Sequence, residues 1–273
     1  MATGFLHPGA MGASLAATCR GTRLWCGDGR SSATRSRAIA AGMAEVESLD
    51  ALVRRADVLI SVCPPAAASE VARAIADVGF DGIYVDVNAI SPASARAIGE
   101  KFERFVDGGV IGPPVNTAGS TRLYLSGDSA AEVAALWNGS LLETRLVDGG
   151  AGAASAVKVC YAAWTKGTAA LLLAIRALAS AAGVEQSLLA EWATSLPGLA
   201  AQADAAASGN APKAWRFVGE LQEIATTFES YGLPDGFASA AADVYDRMAV
   251  FKGTTDATVA DVVEALSHPS SHR

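Results

Sequence analysis

Two places in the chain carry residues whose types and spacing could do chemistry. The first is the opening, ATGFLHPGAMGASLAATC, where a short apolar run meets Gly9-Ala10-Met11-Gly12 and passes into an Ala/Leu-rich segment. That order predicts a strand, a tight turn and a helix whose free backbone N–H groups receive a pyrophosphate. Gly9 and Gly12 fill the last two glycine positions of the G-x-G-x-x-G pattern, while His7, followed by Pro8, stands at the first. The second place is Lys158, whose neighbours Ala156, Val157, Val159 and Cys160 are all apolar. A lysine in such a segment needs a partner or a purpose; the alternative is a surface lysine on an amphipathic helix. Held on a rigid helix and partly desolvated, it can give a proton to, or take one from, an oxygen undergoing hydride transfer. Helical spacing places Tyr161 (i+3) and Thr165 (i+7) on the same face, whereas Lys166 is rotated away and reads as structural.

These groups must be positioned by regular elements. The first half alternates strands, at 22–26 (TRLWC), 57–62 (DVLISV) and 82–87 (GIYVDV), with helices at 34–41, 66–78 and from Ser91-Pro92, a cap followed by a first-turn proline. DVLISV is the continuous apolar run of a strand buried on both faces. A Gly/Pro-rich loop over 108–120, the strand RLYLSG and a helix from about Ser129 follow. Beyond Gly150 the pattern is helical only, with segments at about 153–182, 186–195, 198–207, 213–231, 235–250 and 258–266. The expected fold is therefore α/β: a Rossmann-like doubly wound parallel sheet over 1–150, then an all-helical domain over 151–266 and a disordered tail over 267–273, with His268 and His272 solvated.

Composition narrows the function classes. The chain has 273 residues, 51% hydrophobic and 18% charged, with a formal charge of −7 and no run of Lys or Arg, which argues against a nucleic-acid groove or an acidic membrane surface. The four cysteines (Cys19, Cys26, Cys63, Cys160) have no C-x-x-C spacing and read as buried free thiols of a reducing compartment. The first strand begins almost at Met1, leaving no space for a signal peptide, and TAALLLAIRALASAAG contains Arg176 and falls short of a membrane span. The expectation is a cytoplasmic protein without a membrane partner. G-x-S-x-G, Walker A and H-E-x-x-H patterns are absent, and with three histidines no His-rich metal site is expected. After the second strand, Asp28 would suit the ribose hydroxyls of NAD. Arg30-Ser31-Ser32 resembles a clamp for a 2′-phosphate, so NADP is favoured over NAD. Asn88 falls just past the strand ending at Val87, on the edge where open α/β sheets bind ligands, and Asp86 within that strand reads as structural.

An α/β half followed by a helical half resembles the β-hydroxyacid dehydrogenase and 6-phosphogluconate dehydrogenase superfamily. GFLHPGAMG is similar to that family's G-F-I-G-L-G-x-M-G, ADVLISVCPP to its fourth-strand motif, and YVDVNAISP to D-x-S/N-T-x-x-P. FVDGGVIGPP is similar to D-A-P-V-S-G-G, and GAASAVKVCYA to G-x-G-x-x-x-K-x-x-N-N. The C-terminal stretch AWRFVGELQEIATTFESYGLPDGF resembles a poorly characterised helical domain attached to some members. The resemblance implies a cofactor cradle of His7, Pro8, Gly9, Ala10, Met11 and Gly12, lined also by Val62, Cys63 and Pro64. It implies contact of Asn88 with the nicotinamide or substrate, and Lys158 as the catalytic lysine. Ile111 falls where the family has a serine that holds a carboxylate, and Tyr161 and Ala162 stand where it has asparagines; Asn116 and Thr117 are the nearby polar groups. The implied activity is an NADP-preferring oxidoreductase with a small-molecule substrate more apolar than 3-hydroxyisobutyrate, assembled as a homodimer through the helical domain. Two alternatives are an imine reductase on the same scaffold and a degenerate NADP-binding sensor.

Overall fold

A computed structural model describes residues 1–267. It contains two compact units, Met1–Val159 and the chain from Cys160 onward. In the first unit β1 (Ala2–Phe5), α1 (Ala10–Thr18), β2 (Thr22–Cys26), α2 (Ser32–Ala40), β3 (Ala44–Val46) and α3 (Leu49–Arg55) lead to β4 (Val58–Ser61). There follow α4 (Ala68–Val78), β5 (Ile83–Asp86), α5 (Pro92–Gly99), β6 (Arg104–Ile111), β7 (Arg122–Ser126), α6 (Ala130–Ala134) and β8 (Glu143–Leu146). Helix starts are set locally: Ser31, Ser48 and Ser91 each accept a hydrogen bond from the backbone N–H three residues on, and Gly79 closes α4 in the left-handed conformation.

The strands form one sheet in the order β3-β2-β1-β4-β5-β6-β7-β8. All neighbours are parallel except β6 and β7, so a six-stranded doubly wound sheet is extended by a reversed pair. The strand order turns back between β1 and β4, which is where such sheets leave a crevice beyond their carboxyl ends. Successive residues feed opposite layers. Trp25, Ile60 and Val85 join the core under α1 and α6, while Leu24, Leu59 and Tyr84 join the core that includes Leu52, Ile75 and Ile98.

The expected 108–120 loop is corrected. Gly108, Gly109, Val110 and Ile111 complete β6 and pair with β7, Ile111 opposite Arg122, because the glycines here serve close packing and not a turn. The elements β3, α3 and β8 were not expected. β3 has three residues, and β8 is an edge strand whose Arg145 and Leu146 stay exposed, so neither carries an apolar pattern. The cysteines are also corrected: all four are free, but Cys19 alone is buried, Cys26 and Cys63 are half-buried and Cys160 is exposed.

Helix α7 (Ala153–Ala181) starts in the first unit and continues into the second, past the expected boundary at 150. The second unit adds α8 (Glu185–Ser195), α9 (Leu199–Asn210), α10 (Ala214–Ser230), α11 (Gly236–Arg247) and α12 (Val259–Ser267), close to the expected segments. Buried Arg176, which interrupts the apolar stretch of α7, forms a 2.7 Å ion pair with Glu185. Lys166 pairs with Glu220 at 2.9 Å and lies over the Phe217 ring. No helix among the described residues is long and apolar enough to cross a membrane. Ser267, expected in the tail, closes α12; His268 and His272 lie outside the described residues.

The start of α7 is pinned to the sheet by Asp107 of β6. Its carboxylate accepts from the backbone N–H of Gly152 (3.0 Å) and Ser155 (2.8 Å) and from the hydroxyls of Ser155 (2.6 Å) and Ser126 (3.3 Å). Asp107→Ala orphans these buried donors at once. Urea denaturation is expected to show a loss of about 3 kcal/mol or more, and a loss under about 1 kcal/mol would contradict the anchoring role.

Candidate dinucleotide site

The β1–α1 turn is built around two glycines with different tasks. A Cβ on Gly12 would collide with the His7 carbonyl oxygen, so Gly12 lets α1 approach the end of β1. A Cβ on Gly9 would meet open space, and Gly9 precedes an α1 N-terminus that has no side-chain cap. Open space in front of uncapped N–H groups suits a pyrophosphate. Pro8 is buried, Met11 half-buried and Ala10 exposed. The His7 Nδ1 is buried and without a hydrogen bond, and burial, helped by Arg30, holds its imidazole down to about 4.

Two guanidinium groups reach this turn. Arg30 donates to the Leu6 carbonyl at 3.3 Å, and Arg37 donates through Nε to the Pro8 carbonyl at 3.3 Å and through Nη2 to Thr34 at 3.0 Å. Sequence reasoning missed Arg37; its signal was its place two turns into α2, on the helix that follows the second strand. Ser31 caps α2, so its hydroxyl accepts from Thr34 N, and Asp28 is exposed on the loop. Arg35 is bound by Glu45 and lies over Trp25.

Val62, Cys63 and Pro64 follow β4 and Asn88 follows β5, and the Asn88 side chain meets the Cys63 backbone. Asn88 is 2% exposed. Its Oδ1 accepts from Cys63 N (2.5 Å), and its Nδ2 donates to Ser61 Oγ (3.1 Å) and to Asp86 (2.8 Å), whose other oxygen accepts from Asn88 N (2.9 Å). The amide thus holds the ends of the two strands. Burial pushes the Cys63 thiol up to about 11, which makes it a poor nucleophile at neutral pH.

Lys158 lies half-buried on α7, opposite β6. A Cβ on Gly109 would fall 2.9 Å from the Ala154 carbonyl oxygen and 3.0 Å from the Lys158 Cβ, so glycine is what lets this turn of α7 lie on the strand. Ile111, at the end of β6, is buried, whereas Asn116 and Thr117 are exposed on the following loop, which Thr121 ties back by a 2.6 Å bond to the Pro113 carbonyl. In the helical unit, Tyr161 is exposed and the Thr165 hydroxyl donates back to the Tyr161 carbonyl at 3.0 Å. Asp107, Ser126 and Ser155, which seat this helix, were not anticipated as site-forming residues.

Burial pushes the Asp86 carboxyl up to about 7, against the opposing pull of its Asn88 hydrogen bonds, and Asp107 adds to the rise. Its folded-state value exceeds the ordinary 3.8. The stability it contributes is therefore fully present below that ordinary value and is lost as pH rises through about 7. Compared with Asp86→Asn, which cannot ionise, the wild type should gain stability as pH falls from about 8 to about 5. Urea titrations of both proteins across that range check this, and a pH-independent difference would refute it.

Comparison with known proteins follows the same division. Residues 179–248 match a domain of unknown function, DUF1932. An uncharacterized 28.5 kDa protein of Methanothermus fervidus is 30% identical over 166 residues, 60% of this chain and 64% of that protein, so the match spans just under two thirds of that relative's length. Among solved structures, the conserved protein MTH1747 of unknown function, described as similar to 3-hydroxyacid dehydrogenases, is 26% identical. That likeness covers 92% of this chain and 98% of that one, with a TM-score of 0.73. The Mycobacterium tuberculosis 3-hydroxyisobutyrate dehydrogenase (21% identity, 98% and 99% coverage, TM-score 0.71) shares the fold. So does an Aspergillus terreus reductive aminase solved with NADPH and ethyl levulinate (16%, 96% and 98%, TM-score 0.56). By its eight-stranded Rossmann sheet and the helices that follow, the chain has the fold of the 3-hydroxyacid dehydrogenases, with DUF1932 as part of its helical region.

Proposed function

We propose that this chain is an NADP-preferring oxidoreductase that transfers a hydride between the nicotinamide and a carbonyl or hydroxyl carbon, with Lys158 as proton donor or acceptor. The observation that carries the reading is the β1–α1 turn: open space at Gly9, an uncapped helix N-terminus and two arginines bonded to its carbonyls. His7, Pro8, Gly9, Ala10, Met11 and Gly12 would hold the pyrophosphate, Arg30 with Ser31 and Arg37 the 2′-phosphate, and Val62, Cys63, Pro64 and Asn88 the nicotinamide side. When bound, the cofactor supplies or accepts the hydride. Lys158 then neutralises the developing alkoxide by giving its proton to the oxygen, or takes that proton in the reverse direction. The fold is shared with a reductive aminase, and buried, apolar Ile111 provides no carboxylate anchor. Both support a substrate more apolar than a small hydroxyacid, including an imine.

The helical unit supports a second part of the reading, a homodimer. Trp164, Leu171 and Leu178 recur at seven-residue spacing along α7 and are exposed, as are Leu196 and Phe237. A heptad stripe of this kind suits a second helix packed along it. The interface is expected to exceed roughly 2,000 Å², as obligate dimers do.

Binding and turnover test the enzyme reading. Lys158→Ala should leave NADPH affinity nearly intact and lower kcat by about 10²–10⁴ on a carbonyl and imine panel; Arg30→Ala should weaken NADPH by about 2 kcal/mol and leave NADH almost unchanged. Equal turnover in the lysine variant, or tighter NADH than NADPH in the wild type, overturns the corresponding assignment. Light scattering at micromolar concentration should report a dimer, and a monomer refutes the assembly.

A further inference from the structure

The glycine pattern of the opening turn is broken at His7, and guanidinium groups bond the main-chain carbonyls on either side of it. The backbone of the turn is undisturbed: the His7 carbonyl accepts from Gly9 N at 2.8 Å and packs beneath Gly12. The imidazole is an addition to a turn that already works. Its Nδ1 is buried and has no partner among the described residues, which is costly unless something supplies one.

Two guanidinium groups bond the main chain on either side of His7. Arg30, on the β2–α2 loop that also carries exposed Asp28, bonds the carbonyl of the preceding residue, Leu6. Arg37 of α2 bonds the carbonyl of the following residue, Pro8. Two guanidinium groups thus hold the carbonyls on either side of a histidine with an unused nitrogen, and the charge of Arg30 acts on its imidazole.

We propose that His7 makes dinucleotide binding proton-coupled: the turn takes up one proton at the imidazole when a pyrophosphate settles on it, and gives the proton back when the pyrophosphate leaves. This rests on the cofactor reading above. Burial and Arg30 keep the free imidazole neutral at pH 7. A pyrophosphate brings two negative charges and offsets Arg30, and both effects favour the imidazolium. Binding therefore strengthens as pH falls, by up to about tenfold per pH unit, between about 4 and the value in the complex. Nothing covalent changes; one proton moves from solvent to the ring and back.

The test is calorimetric and needs no substrate. NADP+ and NAD+ are titrated into the full-length wild type, His7→Asn and His7→Gly near pH 6, in buffers of different ionisation enthalpy. The wild type should take up as much as one proton more per cofactor bound than either variant; the 2′-phosphate's own titration cancels in the difference. Binding with the same proton count in all three proteins overturns the proposal and leaves the cofactor reading standing. Failure of the wild type to bind either dinucleotide overturns both. Should the variants not fold, the wild type decides alone: NAD+ affinity that does not change between about pH 5 and about pH 7 rejects the coupling.

Discussion

The carboxylate of Asp107 is the interaction on which the nucleotide half and its outgoing helix depend. It is itself buried within β6 and meets the first turn of α7, where unpaired N–H groups and the helix dipole both favour a negative charge. Burial raises its pKa, while the four hydrogen bonds it accepts pull the other way. Ser126 links the same cluster to the Gly150 carbonyl and the Ala154 N–H, so the chain is held on both sides of the helix start. The position of Lys158 against β6 follows from this seat and from the missing side chain of Gly109.

The opposite side of the site follows a different rule. The β1–α1 turn owes its open, tightly packed geometry to what is absent: no Cβ at Gly12, none at Gly9, no side-chain cap on α1. Arg30 and Arg37 then bring charge from neighbouring elements by bonding main-chain carbonyls, which fixes guanidinium groups without consuming a carboxylate. Turn and charge are therefore supplied by separate segments.

Much of this was legible in the sequence. The fully buried VLIS of β4 and the Ser91-Pro92 start of α5 are strong local signals, and both elements lie where those signals point. The long helical segments after Gly150 also lie within a few residues of expectation. What escaped had no local signature. Gly108-Gly109 reads as a turn by composition, and only the strand beside it and the helix above show that the glycines serve packing. Edge strand β8 carries polar residues, and three-residue β3 is too short for a period. Among the candidate residues, His7, Gly9, Gly12 and Lys158 stood out by type and spacing. Arg37 and Asp107 were not, because their importance lies in carbonyls and N–H groups distant in sequence.

The closed circuit of Asn88, Asp86, Ser61 and the Cys63 N–H has an evolutionary consequence. Each polar group in it satisfies another, and three of the four residues are almost wholly removed from water. A single exchange leaves a donor or acceptor stranded, so drift at these positions is permitted only as paired replacement. The exposed loop after β6, bearing Asn116 and Thr117, carries no such debt. Exchanges in that loop strand no buried group, so its sequence is free to vary while the β4–β5 edge stays constrained.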